Sequence, residues 1–273
     1  MNNAELRRLQ LAELDLFKVF VEICENNQLR YFLDGGTLLG AVRHQGFIPW
    51  DEDMDIGMPR KDYDKLCEIA NDCVPEGYFF QTFFSDPNYP NPYAKLIKKG
   101  TILVEQVSER SKMQGGIYID ILPFDNFPER LSQRLLQGIP IELFRHLLVA
   151  KHQFCPWKAM TGKNRVYKFI EYAFFYPLSY FFSHNWLATH YDHILKKYNN
   201  EITTKVKEPD RRYGKVTVPY ECATDFIKLE FEDNMYCCPQ NYDEFLKQLY
   251  GDYMQLPPVE ERGGDHVVKQ IQF

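Results

Sequence analysis

A chain of 273 residues can bury a substantial core, and 45% hydrophobic with 26% charged residues is the composition of an ordinary soluble globular protein. The formal net charge of −6 argues against a nucleic-acid binder working through a general basic surface, though not against a small anion in a local pocket. No stretch reaches the eighteen or so uncharged apolar residues of a spanning helix; the nearest, Ala173 to Phe182, is short and broken by Pro177.

Seven cysteines, odd in number and without a CxxC pair, together with an N-terminus unlike a secretory signal, point to a reducing cytosol and buried thiols. The vicinal Cys237 and Cys238 lack the further ligands of a metal site. From Ala4 to Asn27 apolar residues recur at helical spacing, and Tyr31 to Leu33 reads as a short strand. Gly35 and Gly36 follow, with Thr37 as the expected N-cap of a helix from Leu38 to His44. Asp53 to Met58 alternates acid and apolar residues like a two-faced strand ended by Pro59, and Asp62 to Ala70 is helical. Tyr78 to Phe84, Ala94 to Ile97, Ile102 to Val107 and Ile117 to Leu122 read as strands, the last with Asp120 inside it.

Past Pro128 the pattern turns helical: Leu131 to Ala150, Arg165 to Phe182 and Trp186 to Tyr198, in the most aromatic part of the chain. The reading for Val166 to Phe182 is a buried core helix, with a membrane-interface helix as the alternative. A polar stretch, Asn199 to Arg212, leads to a last helix, Tyr242 to Tyr250, closed by Gly251. The expected fold is α/β (α+β), a mixed sheet core over residues 1–125. A helical insertion follows at 126–212, and a C-terminal helical tail, 213–273, packs back on the core.

The chemistry concentrates between Phe32 and Ile56. Glycines at a strand-to-helix turn let backbone approach a ligand, and a helix N-terminus favours phosphate, although such a turn alone is equally a plain tight turn. Asp51, Glu52, Asp53 and Asp55 then crowd four carboxylates into five residues. If Asp53 and Asp55 share one strand face they repel and need a cation such as Mg²⁺ or Mn²⁺, which accepts carboxylate and phosphate oxygens together; a solvated acidic turn is the plainer alternative. Asp120, amid isoleucines, would be costly unpaired and is either a third member or a salt-bridged core acid.

FLDGGTLLGAVRHQGFIPWDEDMDIGMPRKDY resembles the signature of the LicD family, whose bacterial members are phosphocholine transferases and which is similar to the fukutin group of ribitol-phosphate transferases. LYGDYMQLPPVEER, Leu249 to Arg262, resembles the family's C-terminal motif. The resemblance implies a phosphate-cradling role for Gly35, Gly36 and Thr37, metal binding by Asp53 and Asp55, and Asp120 as third carboxylate, either ligand or base for the acceptor hydroxyl. It implies transfer of an alcohol phosphate from a CDP-linked donor, CDP-choline favoured, to a hydroxyl of a glycan acceptor that is often lipid-linked, with CMP leaving. Cytoplasmic placement with peripheral contact at the inner membrane face, and no nucleic-acid partner, go with it.

Arg43 and Lys95 are candidate phosphate contacts, Arg43 being equally a surface helix residue, and Asp51 and Glu52 could orient the aspartate pair. Trp50 could stack on a base or face a quaternary ammonium, but core packing is preferred; His44 reads as a capping or packing residue. His190 and His193 have no third ligand, and the acceptor region is expected near Tyr253 and His266. Rival readings are a nucleotidyltransferase donating the nucleotidyl group itself, a D-x-D glycosyltransferase, which the GGTLLG block disfavours, and a non-catalytic nucleotide-binding module.

Overall fold

An Asn2–Glu5 capping box opens α1 (Asn3–Asn27): the Asn2 side chain accepts from the Ala4 and Glu5 N–H groups, and the Glu5 carboxylate accepts from the Asn2 N–H at 3.0 Å. The apolar stripe Leu9, Leu16, Phe17 and Phe20 is buried, packing α1 across the sheet. The computed structural model describes residues 1–263 and 267–273.

The chain then alternates short strands and helices: β1 (Phe32–Leu33), α2 (Gly35–His44), β2 (Asp55–Pro59), α3 (Arg60–Cys73), β3 (Tyr78–Gln81), β4 (Ala94–Lys98), β5 (Ile102–Glu105) and β6 (Ile117–Phe127). The main sheet has the order β1–β2–β6–β4–β3. Only the β2–β6 pairing in it is parallel, so the sheet is mixed, as the fold-class expectation has it. Central β6 is buried along almost its whole length, which its isoleucine-rich sequence anticipates. Its end pairs with β7 (Lys205–Lys207), which pairs in turn with β8 (Val218–Pro219).

After β6 come α4 (Leu131–Lys151), α5 (Gly162–Ser179) and α6 (His184–Leu195), near the predicted spans. Ile141, Phe144, Leu148, Leu187, Tyr191 and Leu195 give α4 and α6 a core of their own. Arg60 joins this layer to the sheet. Its Nε donates to Asp125 Oδ1 at 2.7 Å, both side chains being buried, and its Nη1 lies 3.8 Å from Asp192 on α6.

Three expectations are corrected. Asp34, not Thr37, caps α2, because its side chain accepts from Gly35 N–H at 2.7 Å and the two glycines form the first turn. The strand starts at Asp55, so Asp53 stands ahead of it rather than on its face. Finally, α5 is not a core helix: Ser179 is its one buried residue, while Tyr167, Ile170 and Phe174 face solvent.

The C-terminal part holds more strand than the predicted helical tail. A hairpin, β9 (Phe226–Phe231) with β10 (Asn234–Pro239), precedes α7 (Tyr242–Tyr250), which ends at Gly251 as expected. Last comes β11 (Val268–Gln272), antiparallel to β5.

Candidate active site

Register assembles the site. Asp55 on β2 lies opposite Asp120 on β6, and Asp120 lies opposite Lys95 on β4. Partners in register point to one face, so two carboxylates and an ammonium stand in a row across three adjacent strands. Lys95 Nζ is 3.0 Å from Asp120 Oδ1, an ion-pair distance between two buried side chains. The same ammonium sits 3.1 Å from the centre of the Tyr118 ring.

At the end of this row the N-terminus of α2 meets β2. Thr37 Oγ1 accepts from Asp55 N–H at 2.9 Å, and Asp34 N–H donates to the Asp55 carbonyl at 3.1 Å, so helix and strand are stitched together where the aspartate emerges. Asp34 takes up the Gly35 N–H, leaving those of Gly36 and Thr37 outside the helix's own bonding. Gly35 has φ +50°, and a Cβ there would lie 3.0 Å from Asp55 Oδ2. A Cβ on Gly36 would lie 2.5 Å from Asp51 Oδ2, so only glycine lets that carboxylate close over the turn. The Asp51 loop is held from behind by buried Gln10, whose Nε2 donates to the carbonyls of Ile48 and Asp51 at 3.2 and 2.9 Å.

Crowding of acids governs the electrostatics. Burial, then the charges of Asp53 and Asp120, pushes the Asp55 carboxyl well above the usual range. Burial raises Asp120 to about 6 despite the Lys95 ammonium. Asp34 also rises to about 6 through burial, opposed by Arg211 and the Gly35 N–H. Glu13 of α1, buried with Oε2 lacking a hydrogen bond, is raised by burial and then by Asp53, Asp51, Asp120 and Glu52.

This donor set fits a hard divalent cation by charge. Carboxylates that hold one another's protons on are relieved by a cation beside them, and Mg²⁺ is commonly held by one or two carboxylates with substrate phosphates and water completing its shell. Among the described residues no three His, Cys, Asp or Glu side chains are already gathered to hold a metal ion between them.

Gly36, Arg43, Trp50, Asp51, Asp53 and Asp55 line one cavity of about 700 Å³. Lys95 and Asp120 line an adjoining one of about 490 Å³ with Tyr93 and Tyr118, and Asp210 borders both. Thr37 is buried and does not line the first cavity. Arg43 is engaged by the tail, Nη1 donating to the Tyr253 carbonyl at 2.8 Å and Nε to His44 at 3.0 Å. Trp50 packs partly on the core, with the Arg262 guanidinium 5.2 Å over its ring. Tyr253 lines the larger cavity, whereas His266 falls outside the described residues.

Residues 28–135, which contain the glycine turn and all three candidate aspartates, match the LicD/FKTN/FKRP nucleotidyltransferase domain. The stretch is thus similar to a LicD-type domain. Over 281 aligned residues, covering 98% of each protein, the chain is 27% identical to lipopolysaccharide cholinephosphotransferase LicD of Haemophilus influenzae. It is 32% identical over 83 residues to human ribitol 5-phosphate transferase FKRP, a match covering 25% of this chain and 17% of that protein. An uncharacterised protein of Rickettsia prowazekii is 35% identical over 120 residues, 44% of this chain and 41% of that one.

Four groups at this site were not among the sequence candidates. Glu13 had a visible signal, an acid four residues from both Leu9 and Phe17 on an apolar helix face. Asp34, directly before the glycines, is a typical cap residue. Asp210 and Arg211 arrive on a loop outside the domain, where Arg211 Nε pairs with Glu208 Oε1 at 3.1 Å and Arg145 donates to the Asp210 carbonyl at 3.1 Å; nothing local in the sequence marks them.

Proposed function

We propose that this protein transfers an alcohol phosphate, phosphocholine by preference, from a CDP-linked donor to a hydroxyl of a cell-surface glycan, releasing CMP. The observation that carries this reading is the Asp55–Asp120–Lys95 row, flanked by the α2 N-terminus and by two adjoining cavities. A match over nearly the full length of a cholinephosphotransferase supports it.

In this reading the larger cavity takes the nucleotide diphosphate. The free N–H groups of Gly36 and Thr37 and the partial positive charge of the helix end receive phosphate oxygens, and Arg211 adds a cation at the rim. Asp53 and Asp55 would hold Mg²⁺ or Mn²⁺, which when bound would offset the charge of the pyrophosphate. The acceptor enters from the adjoining cavity. Its hydroxyl oxygen bonds to the choline-bearing phosphorus, the bridging P–O bond breaks towards CMP, and the proton passes to Asp120, which Lys95 orients. Work on a hydroxyl at the cytoplasmic side of a membrane belongs to this reading; among the described residues no helix is long and apolar enough to cross one.

The test is release of CMP from CDP-choline, with CDP-ribitol and CTP in parallel, using lipopolysaccharide-type glycan as acceptor and Asp53→Ala as control. Acceptor-dependent CMP from one CDP-alcohol, lost in the variant, is the expected result. Pyrophosphate from CTP would overturn it in favour of nucleotidyl transfer.

A further inference from the structure

Helices α4 and α5 break the usual rule for apolar side chains. On α4, Leu131, Leu135 and Ile139 recur every four residues and are 70%, 54% and 68% exposed. On α5, Tyr167, Ile170 and Phe174 keep one helical face and are 66%, 61% and 63% exposed, and the chain leaves that helix through an exposed Phe181. The two helices pack on each other over the C-terminal half of α4, where His146 stacks on Phe175, and leave the N-terminal half of the α4 stripe uncovered. Adjacent helices that both turn large apolar stripes outward make a patch of the kind that marks an interaction surface.

Charge says what kind of surface covers it. Residues 131–182 carry seven Lys and Arg against two acids, Glu142 and Glu171, a local charge of +5 in a chain of net −6. Lys163 and Arg165 stand exposed at the start of α5. Beside the α4 stripe, Arg134, Lys205 and Arg212 share a groove of about 580 Å³ with Leu135, Ile139 and Glu142, so three cations and one acid rim an apolar floor. Apolar and aromatic side chains flanked by Lys and Arg suit the headgroup boundary of an anionic bilayer, where apolar burial and attraction to anionic lipid add.

We propose that α4 and α5 form a membrane-docking surface that seats the protein on anionic lipid. Arg212, at the edge of this surface, is bonded in the chain to Arg211, which lines the larger cavity of the site, so a docked protein holds that cavity near the bilayer. The surface is independent of the donor chemistry above. Vesicle binding is scored with no donor present, so a protein that binds vesicles but transfers nothing refutes the transferase reading alone.

The experiment is co-sedimentation of the full chain with vesicles of mixed phosphatidylglycerol and phosphatidylcholine, and with phosphatidylcholine alone. Wild type should pellet with the mixed vesicles, weakly with the neutral ones, and less as salt is raised. Ile170→Ser combined with Phe174→Ser should weaken binding roughly a hundredfold, and removal of each cation at Lys163 or Arg165 by about fivefold, with melting temperature and CMP release on a lipid-free acceptor unchanged. Two results overturn the proposal. One is wild-type protein left in the supernatant with every vesicle. The other is a particle mass, by light scattering, that doubles with concentration and reverts to monomer in the double variant without any vesicle binding, which would assign the patch to a second copy of the chain.

Discussion

The sheet with α1–α3 and the helices α4–α6 solve opposite problems. Around the sheet, charge is drawn inward: Glu13, Asp34, Arg60, Lys95, Asp120 and Asp125 are all buried, most of them close to one cavity system. Burying so many ionisable groups costs stability unless each is paired or protonated, and such crowding is characteristic of sites that shift charge for a purpose. In the helices, apolar residues are pushed outward, a cost of the other kind that is relieved only by something outside the chain. The core spends its strain on chemistry and the helices on location.

Two substitutions break this contrast most forcibly. Asp55→Asn keeps shape and removes one charge from the row. Turnover should fall by about a thousandfold or more, roughly 4 kcal/mol in the barrier, while the melting temperature holds or rises, because burial and the neighbouring acids oppose that charge. Steady-state kinetics beside calorimetry reads both; loss of activity through unfolding would remove Asp55 from the chemistry. Arg60→Ala does the reverse. It strips the guanidinium from buried Asp125, leaving it the Asn199 amide, and cuts the link to Asp192, so it should cost about 3–5 kcal/mol of stability and be seen first as faster hydrogen exchange across α6.

How far the sequence reveals each region follows from the range of the forces involved. Asp55 was legible because strand period and acid spacing coincide over a few residues. The pairing of Asp55 with Asp120 is a register fact, spanning sixty-odd residues and three intervening strands, and only the isolated acid in an isoleucine strand hinted at it. Thr37 looked like a cap because helix and glycine signals overlapped; Asp34 took the role since its side chain reaches Gly35 N–H, freeing Thr37 Oγ1 for Asp55. The β9–β10 hairpin went unread although its turn residue Glu232 has φ +57°, a conformation whose usual Gly or Asn is absent there. The apolar pattern of α5 was seen, but a pattern says only that a face avoids water, not whether protein or lipid covers it.

Smaller effects sharpen the comparison. Gly36→Ala drives a methyl into Asp51 and should reduce turnover by about a hundredfold, the scale of a misplaced reacting group, with little change in stability once the loop yields. Glu208, beside Asp210 and Arg211, is raised by burial and by Asp210 to about 7, against Lys207. The unfolded chain loses that proton near pH 4.3, so between about pH 4.5 and 7 the folded protein holds a proton that the unfolded one has lost, and stability falls as the pH rises through the window. Glu208→Gln should flatten that slope, narrowing the difference in melting temperature between about pH 5 and pH 7.5 by a few degrees. An unchanged slope would place the titration elsewhere.

The least effect is expected where the apolar side chain is largest. Phe174→Ser on α5 should leave stability within about 0.5 kcal/mol of wild type, as at a solvent-facing position, although phenylalanine in a core costs far more to lose. Leu148→Ala on neighbouring α4, where the side chain is wholly buried, should cost about 2–5 kcal/mol. The two helices touch, so the pair of substitutions compares inside with outside within one layer, by the same denaturant titration. If Phe174→Ser cost as much as Leu148→Ala, the α5 face would be covered by the protein itself, and the membrane surface would lose its basis.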